Sequence, residues 1–381
     1  MRPPEQVEAA LRGLPRPVCA YVYDTAALRS RAQAVRAAFP PRTTILYAVK
    51  ANSRNEIVTT LAGVCDGLDV ASGGELATAV AAGATRIVFS GPAKTDPELA
   101  AALAAGAQVN VESPHELRRL DRAAQATGLR ADVCVRVNRA GPGLPGSHAM
   151  TGAATAFGVD EAQLPAVLAL AAELPGIRVI GFHLHAVSNN LDAAAHAAFI
   201  TEAVAWSQRQ GIDLPVVNVG GGLGVDYRSD ATIDLTVLRA ALIAPPAGVE
   251  LVVEPGRILA ADAGWYAAEV LDLKHTHGRT FAVLRGGTHH FRLPAAWGYS
   301  HPFTVLAVDD WPYEWARPVV EDTEVDVVGE LCTPRDVLAR AAPVRRLRVG
   351  DLLVFGRAGA YGWDISHHDF LSHPPPAFLV V

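Results

Sequence analysis

The chain has 381 residues, 50% hydrophobic and 19% charged, which supplies apolar material for a large core and leaves little case for disorder. With 33 Lys and Arg against 39 Asp and Glu the formal charge is −6, and no basic run stands out, which excludes the electrostatic footprint of a nucleic-acid or anionic-membrane binder. Four widely spaced cysteines with no Cys-x-x-Cys pair, no leading signal peptide and no apolar stretch of ~20 residues point to a cytoplasmic chain with reduced thiols.

After a polar start, residues 18–23 read as a short strand. Asp24 can cap a helix running to Phe39, because its carboxylate accepts the orphan amide protons of a first turn, and Pro40-Pro41 stops that helix. Apolar runs follow at 44–49, 68–71, 87–90, 107–111, 133–137, 179–184, 216–219 and 251–253, most separated by Ala/Leu-rich stretches with helical spacing. Crossovers of that length allow parallel pairing, and the pattern predicts a (β/α)8 TIM barrel. Beyond Trp265 the rhythm changes to short β-rich runs at 268–273, 281–284, 303–307, 325–328 and 352–355, a second, mainly β domain. The expected organisation is an N-terminal segment, 1–39, contributing to the β domain, a barrel over 40–265 and a C-terminal β domain over 266–381. A Gly- and Pro-rich stretch at 139–152 reads as a loop over the barrel mouth.

The chemistry-bearing residues stand at strand ends, where barrel sites form. The first barrel strand closes in Tyr47-Ala48-Val49-Lys50-Ala51-Asn52; a lysine there is often merely solvated, but its amine can also form a Schiff base. Strand six ends in Phe182-His183-Leu184-His185-Ala186-Val187-Ser188, two histidines on one face that could be core residues, a zinc pair without a third ligand, or a ring-stacking group. Strand seven ends in Gly220-Gly221-Gly222-Leu223-Gly224, where bare backbone amides can seat a phosphate; as a dinucleotide fingerprint it lacks the third glycine. Strand eight delivers Glu254-Pro255-Gly256-Arg257, either an ion pair at the rim or partners for a ring nitrogen and a phosphate oxygen. An amine, an imidazole, an amide nest and an acid/Arg pair at four strand ends are what a pyridoxal phosphate site requires.

Segments 47–52, 185–188, 220–224, 254–257, 329–332 (Gly-Glu-Leu-Cys) and 359–361 (Gly-Ala-Tyr) together resemble, in order, the fold-type III pyridoxal-phosphate decarboxylases, the group of diaminopimelate, ornithine and arginine decarboxylases with an alanine-racemase-like fold. The resemblance implies a barrel plus β-domain homodimer with active sites shared across the interface. In it Lys50 is the Schiff-base lysine, His185 stacks on the ring and Glu254 meets the pyridine nitrogen. Gly221, Gly222, Gly256, Arg257, Ser188 and Tyr361 surround the cofactor and its phosphate, and Cys332 arrives from the partner subunit. By the same resemblance Arg136 contacts the ring hydroxyl and Asp69 is a strand-end acid near the cofactor. An acid at position 254 keeps the ring nitrogen protonated and so favours decarboxylation, whereas racemases of this fold place an arginine there. A catalytically silent, partner-binding homologue is the reading of another class.

The substrate is expected to be unusual. In the family an acid commonly follows the catalytic cysteine and receives a distal amine, but here Cys332 is followed by Thr333-Pro334-Arg335. Where diaminopimelate decarboxylases carry Arg-Pro-Ala-Leu-Tyr, this chain has Phe291-Arg292-Leu293-Pro294-Ala295-Ala296-Trp297. His289, His290, Arg292, Thr333 and Arg335 therefore become candidate substrate contacts for distal carboxylates. Segments 290–303, 329–338 and 359–376 resemble the siderophore-pathway branch that decarboxylates citrate-conjugated amino acids, with a free amino acid such as diaminopimelate as the alternative. The tail histidines 367, 368 and 373 with Asp369 fit no zinc spacing, and no metal is expected.

Overall fold

A computed structural model describes residues 2–141, 144–212 and 214–381 and divides the chain into two compact units. One holds residues 28–225 and 232–259; the other holds residues 2–27, 226–231 and 260–381. The division falls at 27/28 and 259/260 rather than at 39/40 and 265/266, and six mid-chain residues belong to the β unit.

The first unit is a closed barrel of eight parallel strands, in which the last pairs with the first. They are Thr44–Ala48, Gly67–Val70, Ile87–Phe89, Gln108–Val111, Ala131–Asn138, Ile177–His183, Val216–Asn218 and Glu250–Val253. Parallel strands covered on both faces are apolar throughout, which is why the eight runs are plain in the sequence. The crossing helices start where polar caps predict. Asp24 Oδ1 accepts the Ala27 amide at 3.0 Å as helix Thr25–Ala38 begins, and Thr95 and Glu98 form a complete capping box on Asp96–Ala104. Helices Asn55–Ala62 and Leu235–Ala241 escaped the sequence reading, each being barely two turns and too short for a periodic signal.

Leu46, Val88, Cys134 and Val216, from strands one, three, five and seven, pack as an apolar layer with Val252 of strand eight. Two residues on, the same strand faces carry Ala48, Ser90, Arg136, Asn218 and Glu254. Within one strand repeat the interior turns from apolar to polar, at the C-terminal ends. Of the stretch 139–152, residues 142 and 143 lie outside the described residues; His148–Ala149 pairs antiparallel with Val187–Ser188.

In the β unit, the wholly buried strand Cys19–Tyr23 lies between Gly264–Thr276, antiparallel, and Ala377–Val380, parallel. Gly264–Thr276 also pairs with Leu352–Phe355 on one side and with Arg279–Leu284 on the other. Val7 and Leu11, one turn apart on helix Glu5–Arg12, pack on Val18, Val22, Trp265 and Val354, so the polar start conceals a helix anchored by two residues. Strand Val337–Arg348 was missed because it alternates arginines with alanines around Pro343, and Ala377–Val380 because three prolines precede it. Residues 226–231 are held by one buried guanidinium: Arg357 donates to the carbonyls of Ser229 at 2.6 Å, and of Asp230 and Ala231 at 2.8 Å, and to Asp262 Oδ1 at 2.8 Å. All four cysteines are free; burial pushes Cys19 up to about 11 and Cys65 up to about 12, while Cys332 is exposed. No helix among the described residues is long and apolar enough to cross a membrane.

Replacing Arg357 with Met strands Asp262 and several carbonyls, so Arg357→Met is expected to lower unfolding free energy by about 3 kcal/mol, read from urea midpoints at unchanged slope. A second expectation concerns pH. Burial lowers His196 and His301 to about 4, against an ordinary value of 6.5. Their neutral form is fully favoured above pH 6.5, and its contribution of at most ~3 kcal/mol per residue is lost as pH falls toward 4. Urea titrations across that window should show stability falling with pH, with a shallower fall in His196→Asn; equal slopes in the two proteins would contradict the assignment.

Candidate active site

Lys50 closes the first strand in the short turn Val49–Ala51, its side chain 43% exposed and its Nζ 3.4 Å from Asp69 Oδ2. Asp69 is buried at the end of strand two. Ser90 donates to its Oδ1 at 2.9 Å, and Asn110 donates to Ser90 at 3.0 Å, so strands two, three and four share one line of hydrogen bonds. Burial and the charge of Glu254 raise the Asp69 carboxyl, against the opposing pull of Lys50 and Ser90. On strand five Arg136 donates to Glu112 Oε1 at 2.9 Å, and Glu112 also accepts the amides of Gly91 at 3.0 Å and Gly158 at 2.8 Å. The guanidinium lies 4.6 Å from the centroid of Phe157, which leaves it held from two sides.

His183 and His185 present near-parallel rings 6.2 Å apart. The Gly221 amide donates to His185 Nδ1 at 3.2 Å, which assigns the proton of a neutral ring to Nε2. Burial, together with Arg136 and Lys50, pushes His185 well below its ordinary range, so the ring is uncharged at neutral pH. Glu254 is buried among polar groups. Asn218 Nδ2 donates to its Oε1 at 2.6 Å, while Asn218 Oδ1 accepts the Gly220 amide at 2.9 Å, and that pair of bonds fixes the Asn218 orientation. His183 Nε2 stands 3.4 Å from Glu254 Oε2, a contact without hydrogen-bond alignment. Burial alone would raise Glu254, yet His183, Lys50 and Asn218 bring it down and keep it ionised. Since burial also keeps His183 neutral, polar contact rather than an imidazolium does this work at physiological pH.

The glycine run is bare for steric reasons. A Cβ on Gly220 would meet His185 Nδ1 at 2.3 Å, and one on Gly222, at φ +106°, would lie 2.7 Å from the Val187 carbonyl. Gly256 packs against Ala48 and Ala51, Arg257 opens the buried turn Arg257–Ala260, and Ser188 sits in the ladder Val187–Ser188 with its carbonyl accepting the Ser147 amide. These residues fit pyridoxal phosphate: a strand-end amine, a flat neutral imidazole, an arginine and unhindered backbone amides. An ionised acid touched by Asn218 and a neutral His183, neither supplying a full positive charge, suits a protonated ring nitrogen.

The remaining candidates lie in the β unit. Cys332 is exposed and Tyr361 adopts φ +54°. Arg292, Thr333 and Arg335 line one cavity of about 720 Å³. His289 and His290 do not line it; both are wholly buried, His290 Nδ1 lying 3.3 Å from Cys19 Sγ and His289 Nε2 3.5 Å from Glu330 Oε1. Burial lowers His290 to about 2, so its ring is neutral. The tail histidines diverge: His368 stacks on Trp363, His373 contacts Glu330, and His367 faces the cavity. No group of three or more His, Cys, Asp or Glu that could hold a metal occurs among the described residues. Sequence reading missed Ser90, Asn110, Glu112 and Asn218. Their signal was positional, since Ser90 and Asn218 follow a core valine by two residues, and Glu112 directly follows strand four, two residues after Asn110.

A family model described as pyridoxal-dependent decarboxylase, pyridoxal binding domain, matches residues 25–261. A Staphylococcus aureus protein named 2-[(L-alanin-3-ylcarbamoyl)methyl]-2-hydroxybutanedioate decarboxylase is 40% identical, with 100% of this chain and 98% of that protein aligned. A diaminopimelate decarboxylase of Deinococcus radiodurans is 36% identical over 94% of this chain and 88% of its own length. Among solved structures, Helicobacter pylori diaminopimelate decarboxylase complexed with L-lysine superposes with a TM-score of 0.85 at 28% identity, covering 98% of this chain and 94% of that one. Strand-end chemistry, barrel and β unit, and full-length likeness agree, and the chain belongs to the pyridoxal-dependent decarboxylases of fold type III, carboxy-lyases that use pyridoxal phosphate.

Proposed function

We propose that this enzyme decarboxylates a citrate-conjugated amino acid of the citryl-diaminopropionate type, releasing carbon dioxide and the corresponding amine, as a step of carboxylate siderophore biosynthesis. The observation that carries this reading is the end-to-end similarity to the S. aureus decarboxylase, whose name gives as substrate a 2-hydroxybutanedioate joined through an amide to alanine. The residues after Cys332 agree with it: Thr333 and Arg335 offer a donor and a cation where a free diamino acid would need an acid. Diaminopimelate, the substrate named for the next relatives, is the second reading.

In the proposed reaction, bound pyridoxal phosphate supplies the electron sink for the pair released as the Cα–carboxylate bond breaks. Lys50 is the amine that would hold the cofactor and would be displaced by the substrate's α-amine. Glu254, ionised and aimed by Asn218, keeps the ring nitrogen protonated. His185 offers an uncharged ring face, and Arg136, braced by Glu112, aligns the ring hydroxyl. Gly221, Gly222, Gly256, Arg257, Ser188 and Tyr361 take the phosphate end, and Asp69 orients the Lys50 amine. Lys50 or Cys332 returns a proton to Cα after carbon dioxide leaves. We further read the enzyme as a cytoplasmic homodimer in which Cys332 serves the partner's Lys50. Widely spaced free thiols support the compartment, and the exposure of Cys332 supports the sharing.

Lys50→Ala is expected to lose the visible absorbance of bound cofactor and all carbon dioxide release; retention of both would refute the assignment. Glu254→Gln should keep the cofactor yet lower kcat by about a hundredfold. Product mass spectra from citryl-diaminopropionate, O-citryl-serine, diaminopimelate, ornithine and lysine separate the two substrate readings, turnover of diaminopimelate alone favouring the second. If sites are shared, mixing Lys50→Ala with Cys332→Ala and allowing subunits to exchange should restore about a quarter of wild-type activity, because half the dimers then carry one intact site; no recovery would place both groups in one chain.

A further inference from the structure

A lysine that the strand-end chemistry does not use lies buried in the barrel unit. Lys94 follows the third strand, and its side chain is 1% exposed. All three protons of its ammonium are taken within the fold: it donates to the Gly91 carbonyl at 2.6 Å, the Asn110 carbonyl at 2.9 Å and Glu116 Oε1 at 2.6 Å. Its own carbonyl accepts from Arg119 Nη2 at 2.7 Å, so the backbone that carries it is fixed as well.

Glu116 stands where a capping box would place its acid. Ser113 Oγ accepts the Glu116 amide at 3.1 Å as helix Pro114–Thr127 begins, the same spacing as Thr95 and Glu98 on Asp96–Ala104. Glu98 reaches back to the Thr95 amide at an exposed helix end. Buried Glu116 passes its cap by: Oε2 accepts the Glu112 amide at 2.9 Å while Oε1 takes Lys94. Glu112 presents its Oε1 to Arg136, and the same oxygen accepts the amide of Gly91, whose carbonyl meets Lys94. Two routes, through Glu116 and through Gly91, therefore join the Lys94 ammonium to the Arg136 guanidinium. Lys94, Glu116, Glu112 and Arg136 form a row of two cations and two acids, each side chain 7% exposed or less. Removing one member leaves a neighbouring charge unpaired away from water.

We infer that Lys94 and Glu116 are positioning residues for the cofactor: they set the place of Glu112 and, through it, of the Arg136 guanidinium against the ring hydroxyl. The inference rests on the placement of Arg136 proposed above. Behind Glu112 the cation and the acid also cancel in charge, so losing one or the other tilts the field at the ring in opposite directions. Without Lys94 the row is net negative and a proton beside the ring is held more tightly; without the Glu116 charge it is net positive and that proton leaves more readily.

Pyridoxal phosphate titrated into the cofactor-free full chain, followed by visible absorbance, tests the line of contacts. Lys94→Met should weaken binding about tenfold and Glu116→Gln about threefold. In an Arg136→Met background each should weaken it no more than about twofold further, because the contact through which they act is already gone. A second measurement is the pH at which the absorbance of the bound cofactor changes. It should rise in Lys94→Met, fall in Glu116→Gln and return close to wild type when both are combined, a pattern that loosened packing does not produce. Should Lys94→Met fail to fold, Glu116→Gln and the charge-balanced double variant carry the test. Losses that add in full on Arg136→Met, or pH midpoints that move the same way in both single variants, overturn the inference and leave the placement of Arg136 standing. Wild-type cofactor affinity in Arg136→Met overturns that placement, and the positioning role falls with it.

Discussion

An ionised carboxylate buried at the top of an apolar barrel layer is the constraint to which the barrel's chemistry is fitted. Glu254 sits two residues beyond Val252, a member of that layer, so a single strand repeat takes the interior from hydrocarbon to charge. The charge is affordable only because Asn218 is locked by the Gly220 amide with its own amide group aimed at Oε1. Burial and its field raise the neighbouring Asp69, so two buried acids on one barrel are shifted in opposite directions by their environments. What remains uncompensated at Glu254 is the kind of electrostatic demand that a protonated ring nitrogen meets.

The same economy governs the flanking strands. His185 is kept neutral by burial and by two nearby cations, and its free lone pair is used by a backbone amide of the glycine run. Removing side chains at Gly220 and Gly222 therefore serves packing and function at once, since a Cβ at Gly220 would collide with the imidazole. Arg136 owes its position to Glu112, which is itself held by two backbone amides from different loops. Arg136 and Glu254 each rest on a partner that backbone amides already fix, which lowers the reorganisation needed when charge moves.

The β unit follows a different logic. Several of its acids are committed to arginines, and three arginines with no ion pair among the described residues line one void. Asp336 spends its carboxylate on backbone amides, fixing the walls of that void without neutralising it. In the proposed reading, family-wide chemistry is carried at barrel strand ends and substrate choice in the irregular segments of the β unit.

How much of this was legible in the sequence depends on whether a signal was local. Eight apolar runs with helical crossovers declared the barrel, because doubly covered parallel strands are apolar throughout, and Lys50, His185, the glycine run and Glu254 declared the chemistry, because each ends its strand. Short or polar elements such as Glu5–Arg12 and Val337–Arg348 did not, since two anchoring residues or an arginine-alternating strand leave no periodic trace. Nor could the sequence tell that His289 and His290 are packed away while Arg340 and His367 face a cavity. Neighbours along a chain diverge or converge according to how distant segments pack, and burial is a property of that packing. Residue order determined the fold class and the reacting groups; the tertiary structure alone decided which way each buried acid is shifted and which arginines line a cavity.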